Sequence, residues 1–470
     1  MKTILAIAAL AAALVTPVRN QSLDWGDCPG GGGKIGMQCA PLTVPLDWSN
    51  PNGRKVTLML GRLKADDPDA GTVLVNFGGP GAAGISFMRD YETTIDPFPF
   101  EKLRHKMNVV TWDPRGYPGL SKPSLDLSCL SKVPVELRRT PPLPRDAKEF
   151  RQAQANSRTV ADACRAQDPD ILDHMDSASN VHDMEAIRTA LGAGQLNLYM
   201  GSYGSVYGQV YAQKFPNRVR TMVLDGPLDH SADYWRSTEA ATADILPAWQ
   251  RFTGWCGKTA TCAMHGQDIA GQWQRAVRDA DRKPLPGPNG SHFDGSTLQE
   301  LASDAVKFAA GPADWTRLAT AIQRTTAGDP SGFVVDPAHP YPNGYPTSEC
   351  RDWPRPDYAR YASERARLNR IDPNFAGAAQ LTWQVYCSGW PVGVSAPPAP
   401  LPAGLAPLLG VGSWSDYAVA ARIVGRVPGS STVRYDGAGH ELYATGNTCV
   451  IAHVDSYLTT GHLPPRGTTC

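Results

Sequence analysis

A chain of 470 residues is long enough for two or three domains, and a hydrophobic fraction of 42% supplies an ample core. Its 45 basic and 45 acidic side chains cancel, with no run of like charge. That balance argues against nucleic acid or an anionic membrane surface as a partner.

The N-terminus reads Met1-Lys-Thr, then a mostly apolar run over 4–15. A basic residue before a short apolar stretch predicts a secretory signal, and the run is too short to span a bilayer. Residues 1–19 are assigned to it. Small residues at 11–13 and the Thr16-Pro17 break both permit cleavage, which leaves the mature start open. No other stretch is long enough for a transmembrane helix, so stable membrane insertion is not expected.

Ten cysteines agree with an oxidising compartment, and none forms a Cys-x-x-Cys pair. In chain order they fall into neighbouring couples. The expected disulfides are Cys28–Cys39, Cys129–Cys164, Cys256–Cys262, Cys350–Cys387 and Cys449–Cys470, although sequence alone does not fix connectivity. Asn20 and Asn289 open glycosylation sequons, which matter only if the host glycosylates.

Strands and helices alternate along the first half. Strands are predicted over 42–46, 55–60, 72–77, 108–112, 196–200 and 221–224. Helices are predicted over 180–191, where Val181, Met184, Ile187 and Leu191 recur at helical spacing, and over 206–215. This pattern means a mostly parallel sheet covered on both faces. From 230 to about 400 the chain turns helical and loop-like, rich in Trp and Pro, with no run of strands. Strands resume at 407–412 and 431–435, and a closing helix follows over 449–458. The economical reading is one α/β core (20–229 and 404–470) interrupted by a helical cap (230–403).

The chemistry centres on Gly201-Ser202-Tyr203-Gly204, which joins a strand to a helix. A serine on such a tight, strained turn projects its hydroxyl from the carboxyl edge of the sheet, and the helix N-terminus faces the developing oxyanion. Met200 stands where the usual Gly-x-Ser-x-Gly pattern has its first glycine. Gly78-Gly79-Pro-Gly81 follows the strand at 72–77 and can aim a backbone N–H of Gly78 or Gly79 at the oxyanion, beside the N–H of Tyr203. It has neither spacing of a phosphate loop. The acid and base should follow in chain order. The strand at 407–412 leads into Ser413-Trp-Ser-Asp416, which puts Asp416 at its carboxyl end, and His440 lies in a small-residue loop after the strand at 431–435. Asp225, at the end of the strand at 221–224, is the rival acid. Asp436 is read as holding its loop. Asp113 with Arg115 is read as a structural pair fixing the turn after 108–112.

At this point the chain resembles the tripeptidyl-aminopeptidase-like secreted α/β-hydrolases of actinobacteria, within the wider prolyl-aminopeptidase group of serine peptidases. The matching segments are collinear and span nearly the whole mature chain: Asp24-Trp-Gly-Asp-Cys28, Gln38-Cys39, Val44-Pro-Leu-Asp-Trp48, Gly78-Gly-Pro-Gly81, Trp112-Asp-Pro-Arg-Gly116, 180–191, 196–204, Phe215-Pro-Asn-Arg-Val219, Leu224-Asp-Gly226, Glu349-Cys350-Arg-Asp352, Cys387, Gly437-Ala-Gly-His440 and the Cys449–Cys470 ending. The resemblance implies the α/β-hydrolase fold, a catalytic set of Ser202, Asp416 and His440, and a helical cap admitting peptide N-termini. It also implies a cap carboxylate for the substrate's free α-amino group, and Glu349 matches that element. Departures are Phe77 before the glycines, Met200 at the elbow, and a shorter loop after Asp416 without the family's Thr-Pro. They bear on specificity rather than on chemistry. The expected activity is a secreted serine exopeptidase that releases short peptides from free N-termini, with no metal or organic cofactor. Its alternatives are an ester, lactone or thioester hydrolase of a secondary metabolite or lipid, and a non-catalytic binding protein on a hydrolase scaffold. The sequence does not give the oligomeric state.

Overall fold

The computed structural model describes residues 21–67, 70–126, 143–287, 292–333 and 345–470. The signal segment, the asparagines of both sequons and Cys129 lie outside them.

Twelve strands follow in chain order: β1 (Gly26–Asp27), β2 (Gln38–Pro45), β3 (Lys55–Leu63), β4 (Gly71–Asn76), β5 (Met107–Trp112), β6 (Leu196–Gly201), β7 (Val219–Asp225), β8 (Leu285–Pro286), β9 (His292–Phe293), β10 (Leu409–Gly412), β11 (Ser431–Arg434) and β12 (Thr468–Thr469). Ten of them form one sheet in the order β1-β2-β3-β5-β4-β6-β7-β10-β11-β12. β1 to β3 run antiparallel, and β3 meets β5 antiparallel; every pairing from β5 through β12 is parallel. All six residues of β6 are buried. Parallel strands need crossover helices, and helices on both faces leave a central strand no wet side. The two apolar clusters reflect this. One gathers Leu74, Val110, Leu198 and Met222 with helices such as Ser177–Ala190; the other gathers Val73, Val75, Val109, Tyr199 and Val223 with the closing helix Thr448–Thr460.

Between β7 and β10 the described chain is helical apart from the small β8–β9 hairpin, which the sequence reading did not anticipate. Its helices have an apolar cluster of their own around Trp249, Phe252, Trp273, Leu298 and Ile322. The helix Tyr345–Asp352 ties this region to the core. Arg351 pairs with Asp176 at 2.7 Å, and Asp352 accepts from the Ser177 N–H at 3.1 Å. Asp176 caps the helix that begins at Ser177, so the tie lands on a helix end whose free N–H groups need acceptors.

Four of the expected disulfides are formed: Cys28–Cys39, Cys256–Cys262, Cys350–Cys387 and Cys449–Cys470. Cys350–Cys387 closes a separation of 37 residues and fixes the helix Tyr345–Asp352 to Ala378–Ser388. By loop-closure entropy a bridge of that span stabilises by about 4 kcal/mol. Cys449, His453 and Cys470 also lie within 4.8 Å of one another, but two of the three are disulfide sulfurs and offer no thiolate to a metal.

Candidate active site

β6 ends at Gly201 and the helix Gly204–Lys214 begins three residues later. Ser202 takes up the reversal in the left-handed region, with φ 48°. A non-glycine residue there is strained and persists only where its surroundings hold it. The holding bond is the Ser202 N–H to the Asp225 carbonyl at 2.9 Å. Crowding explains the neighbouring glycines. A Cβ on Gly204 would sit 2.6 Å from Asn76 Oδ1, and one on Gly78 would sit 2.6 Å from the Tyr203 nitrogen and 2.9 Å from the Ser202 Cβ. Gly208, one helical turn on, packs directly under Met200. The elbow therefore tolerates Met200 because its close approaches are made by Gly201, Gly204 and Gly78.

The Gly78 turn places one expected donor differently. The Gly78 N–H donates to Asn76 Oδ1 at 2.9 Å, so it is not free for an oxyanion. A short polar side chain two residues back captures it, as Asx turns do. The N–H groups of Gly79 and Tyr203 have no acceptor among the described residues. Gly79 is partly exposed whereas Gly78 is buried. The unspent Tyr203 N–H adjoins Ser202, and the missing side chain of Gly78 lets the glycine turn approach it.

Asp416 and His440 meet. His440 Nδ1 lies 3.0 Å from Asp416 Oδ2. The other carboxylate oxygen accepts from the Ser413 N–H at 2.6 Å and from the Ser413 hydroxyl at 3.1 Å. Asp416 is buried and its orientation is set from both ends. The Trp414 N–H donates to the Gly437 carbonyl at 3.1 Å, which joins the acid's loop to the histidine's loop. His440 Nε2 is buried and has no hydrogen-bond partner among the described residues, Ser202 included. Catalytic contacts commonly tighten only with substrate in place. Phe308, 50% exposed, sets its ring across the imidazole with centroids 5.1 Å apart.

Asp225 does not hold His440. Its carboxylate accepts from the N–H groups of Leu442 at 3.1 Å and Tyr443 at 2.8 Å, and from the Tyr199 hydroxyl at 2.9 Å. Burial pushes this carboxyl up to about 7, against those three donors. Asp225 thus serves the turn after His440. Asp436 is exposed and accepts from Trp414 Nε1 at 2.8 Å, a loop-holding contact. The expected Asp113–Arg115 pair does not form. Asp113 accepts from the N–H groups of Ile85 and Leu120, while Arg115 is buried against Asp183 at 2.6 Å and donates to the carbonyls of Pro45 and Leu46. A guanidinium with no water needs a charged partner plus acceptors for its other N–H groups, and this corner supplies both.

Gly226 closes the other side. Its φ is +60°, and a Cβ there would lie 2.7 Å from the His440 ring and 2.9 Å from Asp416 Oδ2. Gly226→Ala is therefore expected to displace the imidazole and lower kcat at least tenfold with little change in KM, as steady-state kinetics would measure.

Glu349 and Asp352 lie three residues apart on the helix Tyr345–Asp352 and share one face. Asp352 is fully buried and accepts from the Tyr203 hydroxyl at 2.8 Å and from the Ser177 hydroxyl at 2.5 Å. Burial pushes it up to about 7. Glu349 is partly exposed, and its carboxyl has no hydrogen bond or ion pair among the described residues. Burial first, and then Asp352 nearby, push it up to about 8. The same helix thus anchors the residue after Ser202 and presents a second, unpartnered carboxyl. Sequence reasoning missed Asp352 and Glu441, both of which sit beside residues it had singled out.

Comparison with known proteins agrees with this geometry. Residues 72–262 match the family model described as alpha/beta hydrolase fold, and residues 373–470 match the model described as TAP-like protein. The chain is 28% identical over 496 aligned positions to a tripeptidyl aminopeptidase of Streptomyces lividans, covering 98% of this chain and 88% of that protein. It is 26% identical to the serine protease Hip1 of Mycobacterium tuberculosis, with 98% and 93% covered. It is also 27% identical to a Mycobacterium tuberculosis protein named carboxylesterase B, with 92% and 86% covered. The fold, the two matched models and the near full-length relatives make the chain an α/β-hydrolase by fold that is similar to the tripeptidyl aminopeptidases.

Proposed function

We propose that the protein is a secreted serine aminopeptidase that releases short peptides from free N-termini. The observation that carries this reading is Glu349, an unpartnered carboxyl on the helix that also holds Tyr203. A carboxyl so placed suits the α-ammonium of a peptide lying with its carbonyl at Ser202. In this reading residues 230–403 are the cap that limits entry to short or unstructured chains. The four disulfides favour an oxidising destination, and no described helix is long and apolar enough to cross a membrane.

Ser202 attacks the carbonyl while His440 Nε2 takes its proton. Asp416 holds the tautomer with hydrogen on Nδ1 and stabilises the imidazolium. The N–H groups of Tyr203 and Gly79 receive the oxyanion. His440 protonates the departing amine, and water hydrolyses the acyl-enzyme along the reverse path. The experiment compares free-amine and N-acetylated tripeptide amides of one sequence. Free peptides are expected to be cleaved at least 100-fold faster; equal rates would sink the aminopeptidase reading.

A second reading, hydrolysis of an ester, lactone or thioester, is favoured by the relative named carboxylesterase B. The same catalytic set performs that chemistry, and the fold does not choose between them. Equal or faster turnover of plain esters would select it. A binding protein without catalysis requires that a fluorophosphonate leave the protein unlabelled.

A further inference from the structure

We propose that Glu441 is a positioning residue whose carboxyl takes the place of a side chain on Gly201 and so sets the spacing between Ser202 and His440. The inference rests on the serine-hydrolase reading above. Glu441 immediately follows His440 and is 8% exposed. Its φ is 50°, and among the described residues the other non-glycine residues in this left-handed conformation are Ser202 and Ala376. Strain of this kind persists where the surroundings fix it, and here Ser202 is itself strained while His440 borders a strained residue.

The consequence of that backbone turn is where the side chain ends. A Cβ built on Gly201 would fall 1.9 Å from Glu441 Oε1 and 2.9 Å from its Cδ. The volume that belongs to the residue before the nucleophile is filled from the histidine's loop instead. The two loops are already joined by Asp225, whose carbonyl accepts from the Ser202 N–H at 2.9 Å while its carboxylate holds the N–H groups of Leu442 and Tyr443. Asp225 draws the loops together through hydrogen bonds, and Glu441 stops them at a fixed distance.

Glu441 Oε1 has no hydrogen-bond partner. The titratable groups that bear on it are Asp225, Asp416 and the phenols of Tyr91 and Tyr199, with His440 adjacent in the chain. No lysine or arginine is among them. Burial, and then the two aspartates, raise its pKa well above the usual carboxyl range. The wedge is therefore a neutral acid, which fixes a distance without competing with Asp416 for the imidazole.

The test measures kcat and KM on a free tripeptide amide. Glu441→Ala is expected to lower kcat ten- to hundredfold with KM within twofold, while the isosteric Glu441→Gln restores at least a third of the wild-type kcat. Gly201→Ala is expected to cost at least tenfold in the wild-type background and under twofold in the Glu441→Ala background, because the clash has gone. Should Glu441→Ala fail to fold, Glu441→Gln decides: a folded Gln variant that loses more than tenfold overturns the neutral wedge. A Glu441→Ala kcat within twofold of wild type, or an equal cost of Gly201→Ala in both backgrounds, also overturns it. Fluorophosphonate labelling keeps the two levels apart. If Ser202→Ala is still labelled, the underlying reading falls; if labelling is lost and the Glu441 series behaves additively, only this inference falls.

Discussion

Asp416→Asn is expected to lower kcat by about 10⁴ with the fold intact, whereas Asp225→Asn mainly weakens the fold. Asp225 ends β7 and Asp416 lies four residues beyond the end of β10, and β10 pairs with β7 so that Val411 lies opposite Asp225. Position alone does not distinguish them. Their partners do. Asp416 Oδ2 faces His440 Nδ1, and Oδ1 is held by two donors from Ser413. An asparagine at 416 keeps those Ser413 contacts by offering its carbonyl oxygen. It then turns an NH₂ toward His440, which forces hydrogen onto Nε2, the atom that must accept the serine's proton. At Asp225 the three donors are two backbone N–H groups and a phenol, so an amide there leaves one buried donor facing another. A buried unsatisfied group costs about 1–3 kcal/mol. Thermal melts and steady-state kinetics on both variants separate the roles: a large kcat loss with an unchanged melt for Asp416→Asn, and a lowered melt for Asp225→Asn. A greater kcat loss at 225 than at 416 would reverse the assignment of the acid.

What could be read before the structure follows from how each feature is encoded. The sheet was legible because buried parallel strands such as 72–76 and 219–225 are short apolar runs, and helices such as Ser177–Ala190 carry the 3.6-residue period. Ser202, Asp416 and His440 stood out because each is a polar residue beyond the carboxyl end of such a run. Contacts that join distant loops were not. Arg115 and Asp113 are two apart in sequence, which suggested a pair, yet the guanidinium turns to Asp183, 68 residues on. The Gly78 N–H was read as free because a glycine turn shows no competitor until Asn76 folds back on it. Glu441 carries no sequence signal beyond its place after His440, since its role depends on a φ value and on the missing Cβ of Gly201. The β8–β9 hairpin is two residues per strand, too short for any alternation to show.

Glu349→Gln is expected to lower kcat/KM for free tripeptides about 10²-fold and to leave N-acetylated substrates within twofold. Removing one side of a desolvated charge pair costs about 2–5 kcal/mol, which spans that factor. The pH dependence gives a sharper signature. Burial pushes the Glu349 carboxyl up to about 8. A peptide α-amino group titrates at roughly 7.7–8.0. Below pH 8 the amine is charged but the carboxyl keeps its proton; above it the carboxyl ionises while the amine loses its charge. The charged pair is most accessible where the two curves cross, so kcat/KM for free peptides should peak near pH 8 and fall on both sides. The Gln variant and the N-acetylated substrates should lack that peak. Stability supplies an independent check. A carboxyl with a raised pKa in the folded state makes folding progressively less favourable as pH climbs from its unfolded value to its folded one. Glu349→Gln should therefore melt like the wild type near pH 4, gain on it between pH 4.5 and 8, and keep that gain above pH 8. A flat difference across this range would mean that Glu349 is ionised throughout, and the peak near pH 8 would then have to come from another group.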